Sequence, residues 1–244
     1  MYIIKPHIFS RYPEIIFGLS TKIGLRRLPP FCFNLSYSVG DDLQIVDENR
    51  KEFFNAIGLP VHSVAYQKQI HSDIITTANC GGDIGESDAI ITDKKNIGLA
   101  VSIADCTPIF LYDFKNQVIA AVHSGWRGTE KQILSKTLLK LQQQFNTSPQ
   151  NLIAYIGPSI SQANYEVGND VTEKFNPKFV VKKNNKFYLD VSGANYFMLL
   201  DFGIPTNQIQ KSDLCSYEYG ELLHSYRRES EKSGRSLGVI AIKG

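Results

Sequence analysis

The chain has 244 residues, 43% of them hydrophobic, and its 26 Lys+Arg against 24 Asp+Glu leave a formal net charge of +2. This ordinary globular composition excludes a disordered tail, a coiled coil and a collagen-like rod. The near-neutral balance, with only short basic pairs such as Arg26-Arg27 and Lys182-Lys183, argues against nucleic acid or an anionic membrane as partner.

The first strand is expected over Glu14 to Ser20, followed by an irregular stretch from Thr21 to Gly40 that holds Pro29-Pro30. Loops of that length are uncommon unless they serve a site. Asp41 to Ile57 has the marks of a helix: Asp41 as cap, Gln44 three residues on, and Gly58 with Pro60 as the stop. Short β patterns then dominate, at Val64 to Gln67, Asp73 to Thr77, Asp88 to Thr92, Ile97 to Ala104, Pro108 to Tyr112 and Val118 to His123. Their connections leave no room for helical crossovers, which favours antiparallel or mixed pairing. Thr129-Glu-Lys-Gln132 reads as a capping box before a helix carrying Ile133, Leu134, Leu138, Leu141 and Phe145. A strand at Leu152 to Ile156, shorter helices at Gly168 to Phe175 and Ser192 to Phe202, and a closing strand at Leu237 to Ile242 complete the chain.

No Gly/Ser- or Pro-rich linker and no repeat divides the chain, so one α+β domain over 1–244 is expected, its mixed or largely antiparallel sheets flanked by helices. Cys32, Cys80, Cys106 and Cys215 lie far apart with no CxxC pair. That spacing fits neither a disulfide framework nor a zinc ribbon. The opening residues lack the apolar core of a secretory signal, and no run approaches the roughly 20 apolar residues of a bilayer span. A cytoplasmic protein with reduced thiols is the expectation.

Reactive side chains gather in three short segments at strand ends: Gln69-Ile-His-Ser-Asp73, Ala104-Asp-Cys-Thr-Pro108 and Ala121-Val-His-Ser-Gly-Trp-Arg-Gly-Thr129. Cys106 and His123 are 17 residues apart and end neighbouring strands of a hairpin, so their contact is cheap; His71 lies 35 residues before the cysteine. Two imidazoles and a thiolate suit a borderline-soft divalent ion with its fourth position open, as in a catalytic zinc site. The plainer alternative is a core cysteine and two hydrogen-bonded histidines.

Ala-Asp-Cys-Thr-Pro at 104–108 and His-Ser-Gly-Trp-Arg-Gly-Thr at 123–129 resemble the hallmark motifs of the family once called multicopper polyphenol oxidase or laccase-domain proteins, now described as YfiH-like purine nucleoside phosphorylases. Phe17-Gly-Leu-Ser20, Asn49-Arg50, Gln69-Ile-His-Ser72, Ser87-Asp-Ala89, Ser225-Tyr-Arg-Arg228 and Gly234-Arg235 follow the same order. The one clear departure is Ser124, where the family usually has alanine. The resemblance implies a fold related to that of a cysteine-dependent toxin deamidase. It also implies a His71-Cys106-His123 centre for Zn2+, with Cu2+ as a competing ion. The implied activity is phosphorolysis of adenosine, inosine and S-methyl-5′-thioadenosine, with adenosine deamination beside it. Purine nucleosides and phosphate are then the partners, and a monomer or homodimer the assembly.

Candidate substrate or phosphate residues are Arg50, Asp73, Arg127 and Arg228, with Asp105 an alternative acid and Trp126 a stacking surface or a buried anchor. Arg228→Ala is expected to raise the phosphate requirement more than it alters deamination; a guanidinium pinning loop carbonyls is the competing role for Arg127 and Arg228. A multicopper oxidase needs on the order of ten imidazoles, and the chain has five histidines. A copper-loaded polyphenol oxidase is therefore a weaker alternative. A metal-free hydrolase or amidase of cell-wall precursors, with Cys106 as nucleophile and His123 or His71 as base, is the stronger competitor. A nucleoside-binding regulator without turnover is the third.

Overall fold

The computed structural model describes residues 1–244. In chain order its first half runs β1 (Ile3–Ile4), β2 (Ile15–Ser20), α1 (Leu43–Ile57), β3 (Val64–Lys68), β4 (Ile75–Thr77), β5 (Gly82–Glu86), β6 (Ala89–Thr92), β7 (Gly98–Ile103), β8 (Thr107–Asp113) and β9 (Val118–Ser124). The second half holds α2 (Trp126–Glu130), α3 (Ile133–Phe145), β10 (Leu152–Ile156), β11 (Glu166–Val167), α4 (Asn169–Thr172), β12 (Val180–Lys183), β13 (Lys186–Leu189), α5 (Val191–Asp201), β14 (Ile209–Lys211), α6 (Tyr226–Glu229) and β15 (Ser236–Ile242).

Two six-stranded sheets form the body, ordered β1-β2-β15-β7-β3-β5 and β14-β10-β8-β9-β6-β4, with a small third sheet β11-β13-β12. Pairing is mixed: β15 is antiparallel to β2 and β7, while β3 runs parallel to β7 and β5. The alternation along each strand dictates a layered packing. On β8, Phe110 and Tyr112 point between the sheets with Phe17, Leu99 and Ile240. The intervening Ile109 and Leu111 point outward and meet Ile133, Leu138 and Leu141 of α3 and Leu199 of α5. The outer face of the first sheet buries Val239 and Ala241 under Phe53, Phe54 and Ile57 of α1. The order of layers is thus helix, sheet, sheet, helices, and strands buried on both faces explain the unbroken apolar runs read in the sequence. No helix is long and apolar enough to cross a membrane.

Local signals held with three corrections. Asp42, not Asp41, caps α1: its carboxylate accepts from the backbone N–H of Gln44 and Ile45, and Gly58 closes the helix at φ 73°. Asp41 instead accepts from the side chain of Asn34 and the N–H of Asp42. The Thr129–Gln132 capping box does not form, because Thr129 lies inside the short α2 and donates to the Gly125 carbonyl oxygen. Gln132 precedes α3 in a left-handed conformation with no side-chain cap. The helix expected at 168–175 shortens to α4, whose start is set by Gly168. The exposed strands β5 and β12 carry too little apolar pattern to stand out in the sequence.

Candidate metal centre

Of the three crossings from the first sheet to the second in this neighbourhood, two matter first, between β3 and β4 and between β7 and β8. His71 sits on the first crossing and Cys106 on the second. Gln69 ties the two crossings together: its amide donates to the Ser102 carbonyl oxygen at 2.8 Å and accepts from the Ser102 N–H at 2.7 Å. His123 comes from the end of β9, where the antiparallel register sets Thr107 against Ser124 and Pro108 against His123. The hairpin read from the sequence therefore delivers His123 beside Cys106.

One ligand atom from each of His71, Cys106 and His123 lies within 4.8 Å of the others. Cys106 Sγ is 3.7 Å from His71 Nε2, and the two imidazoles stand edge to face with centroids 4.9 Å apart. A tetrahedral zinc with ordinary Zn–S and Zn–N bonds separates its sulfur and nitrogen ligands by about 3.6 Å. The donor set and spacing fit one soft divalent ion. The backbone is unusual on both crossings: His71 has φ 58° and Asp105 φ 84°. Non-glycine residues hold such conformations where surrounding contacts over-determine them.

Much of that determination comes from Asp88, a fully buried acid just ahead of β6 that the sequence reading left without a role. Its carboxylate accepts from the N–H of Ile70, His71 and Ser72 and from the Ser72 hydroxyl, the last at 2.7 Å. It also bonds His123 Nδ1 at 2.8 Å, while its own carbonyl oxygen accepts from the His123 N–H. An ionised carboxylate only accepts, so His123 carries its proton on Nδ1 and turns Nε2 to the site. Burial opposes ionisation of Asp88, but hydrogen bonds from His123 and Ser72 outweigh it and hold the carboxyl at about 2. Burial likewise opposes the Cys106 thiolate, yet the adjoining His123 and His71 bring the thiol below its ordinary range. The same pairing raises His123 against the effect of its own burial. A signal for Asp88 was present: an acid opening the apolar run Ala89-Ile-Ile-Thr92 has to find partners in the interior.

Gly125 completes the close packing, since a Cβ there would stand 2.9 Å from Cys106 Sγ and 3.0 Å from His71 Cδ2. Ser124 removes no ligand: its hydroxyl joins Thr129 Oγ1 at 2.8 Å and Asn195 Oδ1 at 3.0 Å in a buried network behind the centre.

His71, Cys106 and His123 open onto a cleft of about 1000 Å3 that carries five cationic side chains against two acids, Asp83 and Asp105. Arg50 and Arg127, expected as substrate or phosphate residues, both line it. Arg50 lies between the rings of Tyr37 and Tyr66, at 4.0 and 4.5 Å, and donates through Nε to the Leu35 carbonyl oxygen. Arg127 lies over the ring of Trp126 at 4.4 Å. Trp126 itself is half-buried and faces the cleft.

Asp73 and Arg228 are not brought to the site. Asp73 pairs with Lys136 at the surface. Arg228 donates to the carbonyl oxygens of Ser216, Tyr217 and Leu223 and pairs with Glu229 at 3.0 Å, which is the carbonyl-pinning role. Asp105 faces the cleft, but its oxygens accept from Ser216 Oγ at 2.6 Å and from the Arg227 N–H at 2.7 Å. Of the remaining histidines, His7 and His62 are exposed and His224 is buried against the Phe33 carbonyl, so no second imidazole cluster accompanies the first.

The sequence and the fold both match known proteins. The family described as multi-copper polyphenol oxidoreductase laccase matches residues 17–243. A Bacteroides thetaiotaomicron protein named purine nucleoside phosphorylase is 40% identical over 163 residues, 64% of this chain and 60% of that protein. A Clostridium acetobutylicum protein of the same name is 35% identical over 222 residues, covering 86% of this chain and 87% of the relative. Among solved structures, the hypothetical protein YfiH of Bacillus licheniformis superposes with a TM-score of 0.90 at 28% identity, over 96% of this chain and 94% of that one.

Proposed function

The chain belongs to the multi-copper polyphenol oxidoreductase laccase family, and from that premise we propose that it is a metal-assisted purine nucleoside phosphorylase. Its substrates are adenosine, inosine and S-methyl-5′-thioadenosine, which phosphate converts to free base and the corresponding ribose or methylthioribose 1-phosphate. Adenosine deamination accompanies that reaction. The name carried by the Bacteroides and Clostridium relatives supports the reaction class. The observation that carries it is the nitrogen, nitrogen and sulfur donor set opening onto a cleft with a surplus of guanidinium groups. The cleft volume lies at the upper end for small-molecule sites and leaves room for a nucleoside and a phosphate together.

His71, Cys106 and His123 hold the ion, with zinc the ion we assign and copper its competitor. When bound, such an ion supplies Lewis-acid polarisation and acidifies water. The chain's own residues do the rest. Asp88 keeps the His123 proton on Nδ1 and fixes the backbone of His71. Trp126 and Tyr165 offer aromatic faces to a purine. The surrounding arginines favour an anionic co-substrate.

The stabilised thiolate of Cys106 beside His123 favours one second reading, a metal-free hydrolase with Cys106 as nucleophile. A product assay separates the two. Purified protein of known metal content is given adenosine, inosine and methylthioadenosine, with and without phosphate. Base release should require both phosphate and metal, and should fall at least about 100-fold in Cys106→Ala, the upper end of what loss of even an outer partner costs at a metal site. Full turnover after chelation would favour the hydrolase, and base release indifferent to phosphate would end the phosphorylase assignment.

A further inference from the structure

Four guanidinium groups line the cleft, and they differ in how many N–H donors the protein leaves free. The Arg127 guanidinium makes no hydrogen bond to the protein and rests on the face of Trp126. Arg227 lies over Tyr165 at 5.0 Å and engages one terminal nitrogen, Nη1, with the Glu166 carbonyl oxygen. Arg235 lies 5.4 Å from the Tyr226 ring and engages Nη1 with the carbonyls of Ser233 and Gly234, leaving Nε and Nη2. Stacking holds the plane of a guanidinium and leaves its edge for a ligand. We propose that Arg127, Arg227 and Arg235 form the phosphate subsite beside the metal ligands, with Asp105 as the tether that places it; this assignment rests on the phosphorylase reading.

The tether supplies the proximity. Asp105 directly precedes Cys106, and its carboxylate accepts the backbone N–H of Arg227, so one side chain couples the guanidinium-bearing α6 to a metal ligand. Both carboxylate oxygens are already occupied, by Arg227 and Ser216, which mutes Asp105 as a repulsive charge toward an anion. Convergence is visible in the lining, where Cys106, Tyr165, Arg127 and Arg227 border the one cleft. Arg235 and Asp105 border it too. Arg228 has the opposite arrangement, with both terminal nitrogens bound to the protein, and belongs to the scaffold. Three arginines with free edges match an anion of three equivalent oxygens better than they match a nucleobase. In the reaction, a phosphate oxygen forms the bond to C1′ as the C1′–N9 bond breaks. The electron pair leaves on the purine, which takes a proton from solvent, and the ribose keeps the phosphate.

The test uses metal-loaded enzyme with inosine as substrate and Arg127→Gln, Arg227→Gln and Arg235→Gln as variants. Arg127→Gln is decisive, because that side chain supports no other part of the fold. Each variant should raise the KM for phosphate about 10-fold or more while the KM for inosine stays within about 2-fold. Calorimetric titration with inorganic phosphate alone should show binding to the parent and loss of it in Arg127→Gln and Arg227→Gln. An unchanged phosphate KM in a parent that depends on phosphate overturns the subsite and leaves the phosphorylase intact. A rise in the inosine KM alone also overturns it. Should the parent release no base with phosphate, the reaction assignment fails. The subsite then stands only if inorganic phosphate still binds and the arginine variants lose it, and falls if they bind equally.

Discussion

The two walls of the cleft are built on different principles. One is the end of a sheet: every residue of β6, β8 and β9 is buried, and the register between β8 and β9 sets His123 against Pro108, two residues past Cys106. The other is the segment around α6, whose residues are exposed or half-buried and whose course is held by polar links from Asp105 and Arg228. His123 sits on the close-packed wall, and Arg227, proposed above for phosphate, sits on the wall held by a few hydrogen bonds.

The largest expected effect tests the sheet wall. Asp88→Ala removes the acceptor of five donors and the orienting partner of His123, and should cost about 3–5 kcal/mol in denaturant unfolding, the range for breaking a buried ionic partner. The milder Asp88→Asn should weaken metal binding about 10–100-fold in chelator competition. Unchanged affinity in Asp88→Asn would mean the sheet alone positions the ligands.

A somewhat smaller effect lies under the loop wall. His224 is buried, and that burial, opposed by its hydrogen bond to the Phe33 carbonyl, depresses its pKa from 6.5 to about 4. It is neutral when folded and takes up a proton readily only when unfolded. Its contribution is complete above about pH 6.5 and declines by about 1.4 kcal/mol per pH unit as pH falls toward 4, some 3 kcal/mol altogether. His224→Gln should flatten the stability profile in that window; an identical slope in parent and variant would assign the acid sensitivity to another group.

The smallest effect separates scaffold from recognition on the loop wall. Arg228→Ala should lower stability by about 1–3 kcal/mol through its unsatisfied carbonyl partners. Its folded fraction should keep the parent's phosphate KM, in contrast to the reading of Arg228 from sequence alone. A phosphate KM rising as in Arg127→Gln would move Arg228 into the subsite.

The sheet wall was largely legible from sequence, because Cys106 and His123 end apolar runs joined by a short turn, and local patterning suffices to place such a hairpin. The loop wall was not. Arg227 and Arg228 are adjacent in sequence and alike in chemistry, and only the carbonyls of Ser216, Tyr217 and Leu223 decide which one is engaged. Asp88 escaped for a related reason: its partners at 70–72 and 123 are distant in the chain and are gathered by sheet pairing. Thr129 misled because a hydroxyl three residues before a glutamine matches the capping pattern whether or not the helix begins there.

Because the β8–β9 pairing continues without a bulge from Thr107–Ser124 to Asp113–Val118, the far turn at 114–117 lies at the opposite end of the ladder from the sulfur and the imidazole. An affinity tag or reporter peptide spliced into that turn lengthens the chain without altering which residues face one another. Deletion of a single residue within β9 exchanges its two faces, turning His123 from the side of Ile119 and Ala121 to the side that packs on α3.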